Sequence, residues 1–451
     1  MAFQLTADFV ERIEQLIAQR DRLALKELLA DFHFADIAEI LEELKSDEAT
    51  YLIKSLESDI TSEALMELDE DVREKILDRL SPKEIAEELT EMDSDDAADV
   101  VAELDEEIQQ KVFERIEDED LAADIVELLS YDEDSAGGLM AKELVQVKET
   151  WTVAGCVREM RRQAKNVTRV HSIYVTDKEG KLKGRLSLKD LLTASEKTHI
   201  SEVYIPKVDY VTVHTEGEEV ARIMQKYDLE AIPVVDEDGI LMGRVTIDDI
   251  VDFIKDEAEK DYQLAAGISQ DVEADDSIWE LSRARLPWLI LGLFGGLASV
   301  FILEDFEDLM QNPDVRMLFF FTPLIAAMAG NVGVQSSAII VQGLANDVVK
   351  GSLLNRLLKE VGLSLINGIA LGVLVIIFGF IMNYTFNFSL TIAVSMLSVI
   401  IIAALIGTFV PIILDKKGID PAIATGPFIT TSNDIFGIFL FFYISKLILG
   451  F

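Results

Sequence analysis

Hydrophobic and polar positions follow three different patterns along the 451 residues of this chain. Residues 1–130 have the spacing of short amphipathic helices, with apolar positions three and four apart and acidic positions between them. From residue 140 to about 255, short apolar runs alternate with helical segments, which is typical of an α/β fold. Five long apolar segments follow residue 285. The pattern therefore predicts a multidomain protein with a helical first part, an α/β second part and a membrane-spanning third part.

A weak repeat runs through residues 1–130. The segments ADIAEIL, KEIAEEL, DDAADVV and DLAADIV align on four small residues, Ala38, Ala86, Ala98 and Ala123. Their separations lie near multiples of twelve, which suits short helices stacked in an array, because small residues let neighbouring helices approach. Pro82 follows Ser81, as expected for an N-cap and a first helical turn. We expect an all-α superhelical domain here.

The second part contains an internal duplication. Each half runs strand, acidic turn ending in glycine, strand, Gly-x-x-Ser/Thr-x-x-Asp and helix. The two motifs are GRLSLKD at residues 184–190 and GRVTIDD at residues 243–249. These units resemble a tandem pair of CBS modules, which we expect at residues 131–200 and 201–255. The segment YDEDSAGGLM, which opens the first module, breaks the helical pattern with two adjacent glycines.

The Ser/Thr and Asp of these motifs have two interpretations. In CBS modules they often hold the ribose of a bound adenosine nucleotide, so the resemblance implies Ser187, Asp190 and Thr246 as nucleotide-binding residues and ATP as a ligand. A hydroxyl at a strand end and a carboxylate at a helix start can together bond vicinal hydroxyls. Both residue types are also good helix N-caps, and the sequence leaves the choice open.

Residues 256–284 connect the soluble part to the membrane part. They predict a long acidic linker helix, with Gly267 as a stop, and a second segment that ends in Arg283 and Arg285. Such a helix can pass motion from one part to the other. The alternative is that it serves only as a spacer.

Each of the five apolar segments is long enough to cross a membrane, which takes about 20 residues. Within a transmembrane domain over 285–451, they lie at residues 286–303, 317–343, 360–383, 389–414 and 428–449. Basic loop residues favour the cytoplasmic side. They follow the second and fourth spans, as Lys350, Arg356, Lys359, Lys416 and Lys417. We therefore expect a multi-pass protein of the plasma (inner) membrane, with a cytoplasmic N-terminus and a C-terminus outside.

Charge separates the soluble part from the membrane part. Of the formal net charge of −42, residues 1–285 carry −39, because they contain 72 acidic and 33 basic residues. A field of this sign attracts cations and repels nucleic acid, which we therefore exclude as a partner. The single cysteine, Cys156, excludes an intrachain disulfide and fits a reducing compartment. One cysteine and four histidines give no zinc-site spacing.

Two spans carry polar residues at membrane depth. The second contains GNVGVQSS, which includes Asn331, and the fifth opens with GPFITTSNDIFG, which places Asp434 after Thr430 and Thr431. A carboxylate in a span costs roughly 2.5–3.5 kcal/mol and usually faces a bundle interior or a water-filled path. We interpret Asp434 as part of a cation pathway, with Asn331, Thr430 and Thr431 as further pore residues. The alternatives are a helix-capping Asp and close helix packing.

The residue types in this pathway suit a hard cation. The spans contain no Cys, His or Met ligand cluster, which argues against soft transition metals. Mg²⁺ dehydrates reluctantly and is commonly held through one or two carboxylates. One Asp per chain becomes two around the two-fold axis of a dimer. Ca²⁺ prefers six to eight oxygen ligands, for which this span has few carboxylates.

The order of the parts and the motifs YDEDSAGGLM, GNVGVQSS and DPAIATGPFITTSNDIFG resemble the MgtE family of magnesium channels over nearly the whole chain. The resemblance implies a homodimer in membrane lipid, with a pore lined by the second and fifth spans. It implies Asp434 as the selectivity residue and Asp420 near the cytoplasmic mouth. It also implies regulatory Mg²⁺-sensing acids at Asp95, Asp99, Asp228, Asp249, Asp252, Glu257 and Asp261. Lys260 differs from the family pattern, where an acid is expected in the linker (plug) helix.

We therefore predict a magnesium-selective channel or transporter that imports Mg²⁺ and closes when Mg²⁺ binds its acidic cytoplasmic domains. Repulsion between the acids would hold these domains apart until ions bridge them, and several coupled sites would give a steep response. One alternative is a proton- or sodium-coupled divalent cation carrier. Another is a non-conducting membrane-anchored nucleotide or metal sensor. The sequence contains no nucleophile–base constellation and no phosphate loop that would indicate an enzyme.

Overall fold

The computed structural model describes residues 4–164, 167, 169–170, 172–269, 272, 274, 276–306, 316–346, 348–349 and 351–450. The chain divides into two compact units, Met1–Ile254 and Lys255–Phe451. Lys350, one of the basic loop residues behind the predicted orientation, lies outside the described residues.

In the described part of the first unit, ten helices follow one another between residues 7 and 128. They are α1 (Ala7–Ala18), α2 (Arg22–Leu29), α3 (Phe34–Glu43), α4 (Ser46–Ile53), α5 (Ser58–Met66), α6 (Glu70–Leu77), α7 (Pro82–Leu89), α8 (Ser94–Ala102), α9 (Glu106–Phe113) and α10 (Glu119–Leu128). Helices that are two positions apart in the chain pack against each other: α3 on α5, α5 on α7, α7 on α9, α4 on α6 and α8 on α10. This stacking confirms the predicted all-α superhelical domain.

The predicted N-cap and most of the aligned alanines in this domain agree with the structure. Ser81 caps α7: its Oγ accepts a hydrogen bond from Glu84 N (3.3 Å), and the Glu84 carboxylate accepts one from Ser81 N (2.7 Å). Three of the four aligned alanines are buried in the core, and Ala123 is exposed. The fourth alignment was wrong because α10 buries Ile125 and Leu128 instead.

Two α/β modules with the same topology complete the first unit. Their elements are β1 (Val145–Lys148), α11 (Val153–Gln163), β2 (Ile173–Thr176), β3 (Leu182–Leu186) and α12 (Leu188–Thr193), then β4 (Val211–Thr212), α13 (Gly217–Tyr227), β5 (Ala231–Val235), β6 (Leu241–Thr246) and α14 (Ile247–Ala266). In each module the first strand pairs in parallel with the second, and the second pairs antiparallel with the third. The predicted duplication is confirmed.

The acidic turns of the two modules contact each other. Gly180 and Gly239 close these turns with φ angles of 91° and 81°, a left-handed conformation that favours glycine. Leu182 N donates to Gly239 O (2.9 Å), and Leu241 N donates to Gly180 O (3.1 Å). The exchange is reciprocal, so the two copies are related by an approximate two-fold symmetry.

The linker predicted over residues 256–284 is divided between two helices. The helix α14 begins at Ile247, inside the second module, and ends at Ala266. Gly267 follows with a φ angle of 82° and stops the helix, as its sequence position predicts. The next helix, α15 (Ile278–Asp305), starts before residue 284 and continues into the membrane part.

Five helices in the described part of the second unit are long and apolar enough to cross a membrane, which confirms the five predicted spans. After α15 they are α16 (Thr322–Ala345, preceded by a 3-10 turn, Met317–Phe321), α17 (Leu353–Ile381), α18 (Phe386–Asp415) and α19 (Gly426–Leu449). The most buried of these is α18, which packs against α16, α17 and α19, while α15 packs against α19. Polar capping residues, Ser352 and Thr385, start α17 and α18 before the apolar runs begin.

Candidate functional site

A cavity of about 280 Å³ lies between α16 and α19 in the membrane unit. It is lined by Ala326, Ala327, Gly330, Asn331, Val334, Gln335, Thr430 and Asp434. The lining positions on α16 recur every four residues, and the two on α19 are also four apart. Because residues four apart share a helix face, each helix presents one face to the cavity. From the polar stretch of the second span, Gly330, Asn331 and Gln335 therefore form part of the cavity wall.

Gly330 lets the two helices approach beside Asp434. A Cβ at this position would lie 3.2 Å from Thr430 Cγ2 and 3.6 Å from Asp434 Oδ1. The half-buried carboxylate thus sits where the helices are close together, and the amides of Asn331 and Gln335 line the same cavity. The site offers carboxylate, amide and hydroxyl oxygens, which are ligands that hard cations prefer.

The structure brings together three of the five predicted pore residues, Asp434, Asn331 and Thr430. Thr431 does not line the cavity: its Cγ2 packs against Gly295 of α15, where a Cβ would overlap it. Asp420 does not line it either. It lies on an exposed turn before α19, where its Oδ1 accepts a hydrogen bond from Ala422 N (2.7 Å).

Two further polar residues of the membrane unit were not selected from the sequence. Asn433 is 1% exposed and lies against Gly333, and no described residue forms a hydrogen bond with its side-chain amide. Glu360 of α17 accepts a hydrogen bond of 2.6 Å from Ser336 Oγ of α16. Glu360 occupies the first position of the predicted third span, a signal that was available in the sequence.

Acidic side chains at the start of α8 and on α14 come together in the first unit. Burial and neighbouring carboxylates raise the pKa of Asp93 to about 6 and that of Asp96 to about 8. The same causes raise the pKa of Asp95 well above its usual range, and burial also raises that of Asp249. The Asp249 carboxylate contributes to all three shifts on α8. We call Asp93, Asp95, Asp96 and Asp249 the carboxylate cluster.

Arg244 of β6 supplies a positive charge beside this cluster. It is 4% exposed, its Nη2 lies 4.0 Å from Asp93 Oδ2, and its Nη1 donates to Arg169 O (3.0 Å). Its charge lowers the pKa of Asp93 and Asp249, but burial outweighs it. Across the residues that the structure describes, no three His, Cys, Asp or Glu side chains are placed to hold one ion together. The carboxylate cluster is thus a set of crowded acids and not a formed chelate.

The other predicted sensing acids lie in different settings. Asp99 of α8 has an exposed surface, yet burial and the carboxylates of Glu133, Glu103 and Asp249 raise its pKa to about 7. Asp228 is the exposed C-cap of α13, with a φ angle of 50°. Asp252 is exposed on α14. Asp99 therefore interacts with Asp96 and Asp249 of the carboxylate cluster, whereas Asp228 and Asp252 are exposed. The sequence could not show this difference because all three are acids on helices.

Acids of the linker helix lie near Asp420 in the second unit. Burial raises the pKa of Asp261, and the carboxylates of Asp420 and Glu257 raise it further. Lys260 Nζ lies 3.4 Å from Glu257 Oε2, and its charge acts in the opposite direction on Asp261. Asp420 is therefore associated with the linker acids, and Lys260 partly compensates their charge.

The Ser/Thr and Asp pairs of the two modules lie at helix starts. Ser187 Oγ donates to Asp190 Oδ2 (2.6 Å) and accepts from Asp190 N (3.1 Å). In the second module, Thr246 donates to Asp249 Oδ2 through both its N (3.1 Å) and its Oγ1. Side-chain capping by the hydroxyl is therefore observed for Ser187. In the second module only the Asp249 carboxylate acts on the helix start, by accepting from Thr246, and Asp249 also belongs to the carboxylate cluster.

Family models match each part of this architecture. The model described as MgtE, divalent cation transporter, matches residues 322–444; that of the MgtE intracellular N domain matches 32–134; and that of the CBS domain matches 136–197 and 200–256. The magnesium transporter MgtE of Thermus thermophilus is 35% identical over 322 residues, which is 71% of each chain. That of Bacillus subtilis is 36% identical over 318 residues, which is 70% of each chain.

Two solved structures resemble about half of the chain. The cytosolic domain of the Mg²⁺ channel MgtE in complex with ATP is 36% identical, with a TM-score of 0.51, and the match covers 54% of this chain and 99% of that one. The soluble part of a magnesium transporter is 29% identical, with a TM-score of 0.50, and the match covers 55% and 98%. These matches confirm the fold predicted for the soluble part.

Proposed function

This chain belongs to the MgtE family of divalent cation transporters, and from that premise we propose that it is a magnesium-selective channel. It imports Mg²⁺ and closes when Mg²⁺ binds its acidic cytoplasmic domains. The observation that carries the proposal is the cavity between α16 and α19, where Asp434 faces amides, a hydroxyl and small residues. The magnesium transporters similar to this chain support the choice of ion.

The size of the cavity suits an ion that keeps its water. The cavity offers about 280 Å³ to the centres of water molecules. One water needs roughly 10–15 Å³ on this measure, so an ion with several waters fits. Mg²⁺ dehydrates reluctantly and is usually held through one or two carboxylates with several waters retained. A carboxylate with amide and hydroxyl neighbours can hold such waters by hydrogen bonds. Binding of this kind is weak enough for the ion to leave, as conduction requires.

We place this cavity on the two-fold axis of a homodimer in lipid. A second copy would bring a second Asp434 to the path, which doubles the charge that faces a divalent ion. Large apolar side chains exposed on α15 and α17, such as Phe294 and Phe380, support their burial in lipid or against a second copy. Arg356, Lys359, Lys416 and Lys417 follow the second and fourth spans and support a cytoplasmic N-terminus with the C-terminus outside.

Closure follows from the carboxylate cluster. Carboxyls whose pKa is raised to about 6 and about 8 are costly to ionise together, so they repel one another when they lose their protons. Mg²⁺ that binds among them removes this cost and favours the arrangement in which α8 and α14 are close. The helix α14 continues from the second module into the linker and passes this preference toward the pore. A ligand shifts such an equilibrium only by its different affinities for the two states.

ATP is a second regulatory ligand in this proposal. The solved cytosolic domain in complex with ATP, whose match covers 54% of this chain, supports it. Ser187 and Asp190 would exchange their mutual hydrogen bond for the ribose hydroxyls. Calorimetric titration of ATP into the chain tests this, and Ser187→Ala should weaken binding. Unchanged affinity in that variant would exclude this site.

Mg²⁺ flux into proteoliposomes tests the main proposal. We expect flux that saturates with Mg²⁺ and falls as Mg²⁺ is raised on the face that carries the N-terminus. Flux that follows an imposed pH or sodium gradient would instead establish a coupled carrier. If purified protein binds Mg²⁺ but conducts no ion under any gradient, the non-conducting sensor is correct.

A further inference from the structure

Glu360 is a half-buried carboxylate at the head of the third span, and its described hydrogen-bond partner lies on another helix. The residue belongs to α17, and its Oε1 accepts the hydrogen bond from Ser336 Oγ of α16 (2.6 Å). Ser336 is 5% exposed, so the bond lies inside the membrane unit. Among the described residues, no Lys, Arg or His forms an ion pair with Glu360. A carboxylate in this setting is costly, which makes a functional role the default expectation.

The position of Ser336 connects this bond to the cavity. Ser336 directly follows Gln335, which lines the cavity, and lies five residues after Asn331, which also lines it. Since adjacent residues on a helix point about 100° apart, the hydroxyl holds α16 from the side while the amides face the cavity. Rotation of α16 about its axis would therefore break the Ser336–Glu360 bond and turn both amides away together.

Other close contacts of α16 with its neighbours are made through glycines. A Cβ on Gly333 would overlap the Asn433 amide of α19, and a Cβ on Gly407 of α18 would overlap Gly333 O. These are close approaches of small residues, which favour tight packing without a directional bond. The body of α17 packs mainly against α18, so the Glu360 side chain provides a polar connection from α17 to α16.

We propose that Glu360 is a positioning residue, which fixes the rotation of α16 through Ser336 and so sets Asn331 and Gln335 opposite Asp434. The effect on transport rests on the proposed function. A carboxamide can accept the same hydrogen bond, so the role needs the acceptor oxygen and not the negative charge. This separates positioning from direct binding of the cation, which needs the charge.

Four variants test the proposal in proteoliposomes: Glu360→Gln, Glu360→Ala, Ser336→Ala and the double variant Ser336→Ala/Glu360→Ala. Loss of a hydrogen bond to a charged group should raise the half-saturating Mg²⁺ concentration about tenfold in each alanine variant. Glu360→Gln should stay within about twofold of the unchanged chain, and the double variant should equal the single ones because both remove one interaction. Ser364→Ala is the matched control, since it removes a buried hydroxyl from the same helix one turn away.

A second readout does not depend on transport. Gln335→Cys places a thiol in the cavity wall, and the native Cys156 is buried. Adding Glu360→Ala or Ser336→Ala should slow modification of this thiol by a water-soluble reagent several-fold, whereas adding Glu360→Gln should not. Absence of Mg²⁺ flux in the unchanged chain would defeat the proposed function alone, because this readout still reports the rotation of α16.

Three results would overturn the inference. Equal impairment by Glu360→Gln and Glu360→Ala would show that the charge itself is required. Additive effects of Ser336→Ala and Glu360→Ala would show that the residues act separately. Third, the alanine variants could keep the half-saturating Mg²⁺ concentration and the rate of thiol modification while their melting temperature in detergent falls. This would show that the contact only stabilises the fold.

Discussion

The two units of this protein place their acids in opposite settings. In the first unit, Asp93, Asp95, Asp96 and Asp249 are crowded, Asp95 is buried and the others are half-buried, and their pKa values are raised. In the membrane unit, Asp434 lines a cavity whose other described walls are amides, a hydroxyl and apolar or small groups. One setting collects negative charge, and the other presents a single carboxylate to a cavity with room for several waters.

This difference matches two demands on a cation site. A site that conducts must bind an ion and release it, so one carboxylate and retained water suffice. A site that senses must change its state over a narrow concentration range, which several interacting acids can provide. Substitution of Asp434 should therefore change flux, and substitutions in the carboxylate cluster should change closure.

The largest expected effect comes from removal of the isolated acid. Asp434→Ala should reduce Mg²⁺ flux in proteoliposomes to that of empty vesicles, because no other described residue of the cavity wall carries a negative charge. Asp415→Ala, which removes an exposed acid at the end of α18, is the control and should conduct normally. Wild-type flux in Asp434→Ala would contradict the pathway.

Neutralisation of the crowded acids should affect closure and spare conduction. In Asp95→Asn/Asp96→Asn the proposed Mg²⁺ ligands and the repulsion that Mg²⁺ would relieve are both removed, so flux should no longer fall over the Mg²⁺ range that closes the unchanged chain. Glu106→Gln/Glu114→Gln changes the same amount of charge at exposed positions of the helical domain and serves as control. Equal closure in both double variants would disprove the sensing role.

The stability of residues 1–254 should fall as the pH rises. The pKa values of Asp93 and Asp96 are raised in the folded state to about 6 and about 8, so the folded unit binds more protons than the unfolded chain between their usual pKa and these values. Without Mg²⁺, the melting temperature should therefore decrease from pH 5 to pH 8. Saturating Mg²⁺ should flatten this decrease. A melting temperature that increases over the same range would refute the assignment.

Glu88 is a buried acid outside the carboxylate cluster, so its substitution tests burial without crowding. Of these substitutions it should have the smallest effect on transport. Glu88 is 7% exposed, accepts a hydrogen bond from Thr61 Oγ1 (2.7 Å), and burial raises its pKa to about 7. Glu88→Gln keeps the bond and should stabilise residues 1–254 at pH 8 by on the order of 3 kcal/mol, from the shift of its pKa. The gain should disappear below about pH 4.5, where the acid is protonated in both states.

Urea unfolding at the two pH values measures this gain, with the exposed Glu91→Gln as control. The half-inhibiting Mg²⁺ concentration should remain that of the unchanged chain, because Glu88 is buried outside the carboxylate cluster. A large change in closure would mean that burial of any acid, and not the cluster, determines sensing.

The sequence by itself determined the parts of this protein and their order. Apolar length defined five spans, and the repeated strand–turn–strand pattern predicted two modules whose strand pairing is the same. Gly267 ended α14, and Ser81 with Pro82 started α7, because these effects act within one or two helical turns. Among the pore candidates, Asp434, Asn331 and Thr430 could be chosen because a polar group in an apolar span is costly wherever the span packs.

Only the tertiary structure decided which of these side chains meet. Thr430 faces the cavity and Thr431 faces Gly295, although the sequence presents them as a pair. Asp249 lies with the acids of α8, whereas Asp228 is the exposed C-cap of a helix. Glu360 of α17 accepts a hydrogen bond from Ser336 of α16. Periodicity shows which residues share a helix face, but the rotation of each helix and the partner across it depend on packing between segments far apart in the chain.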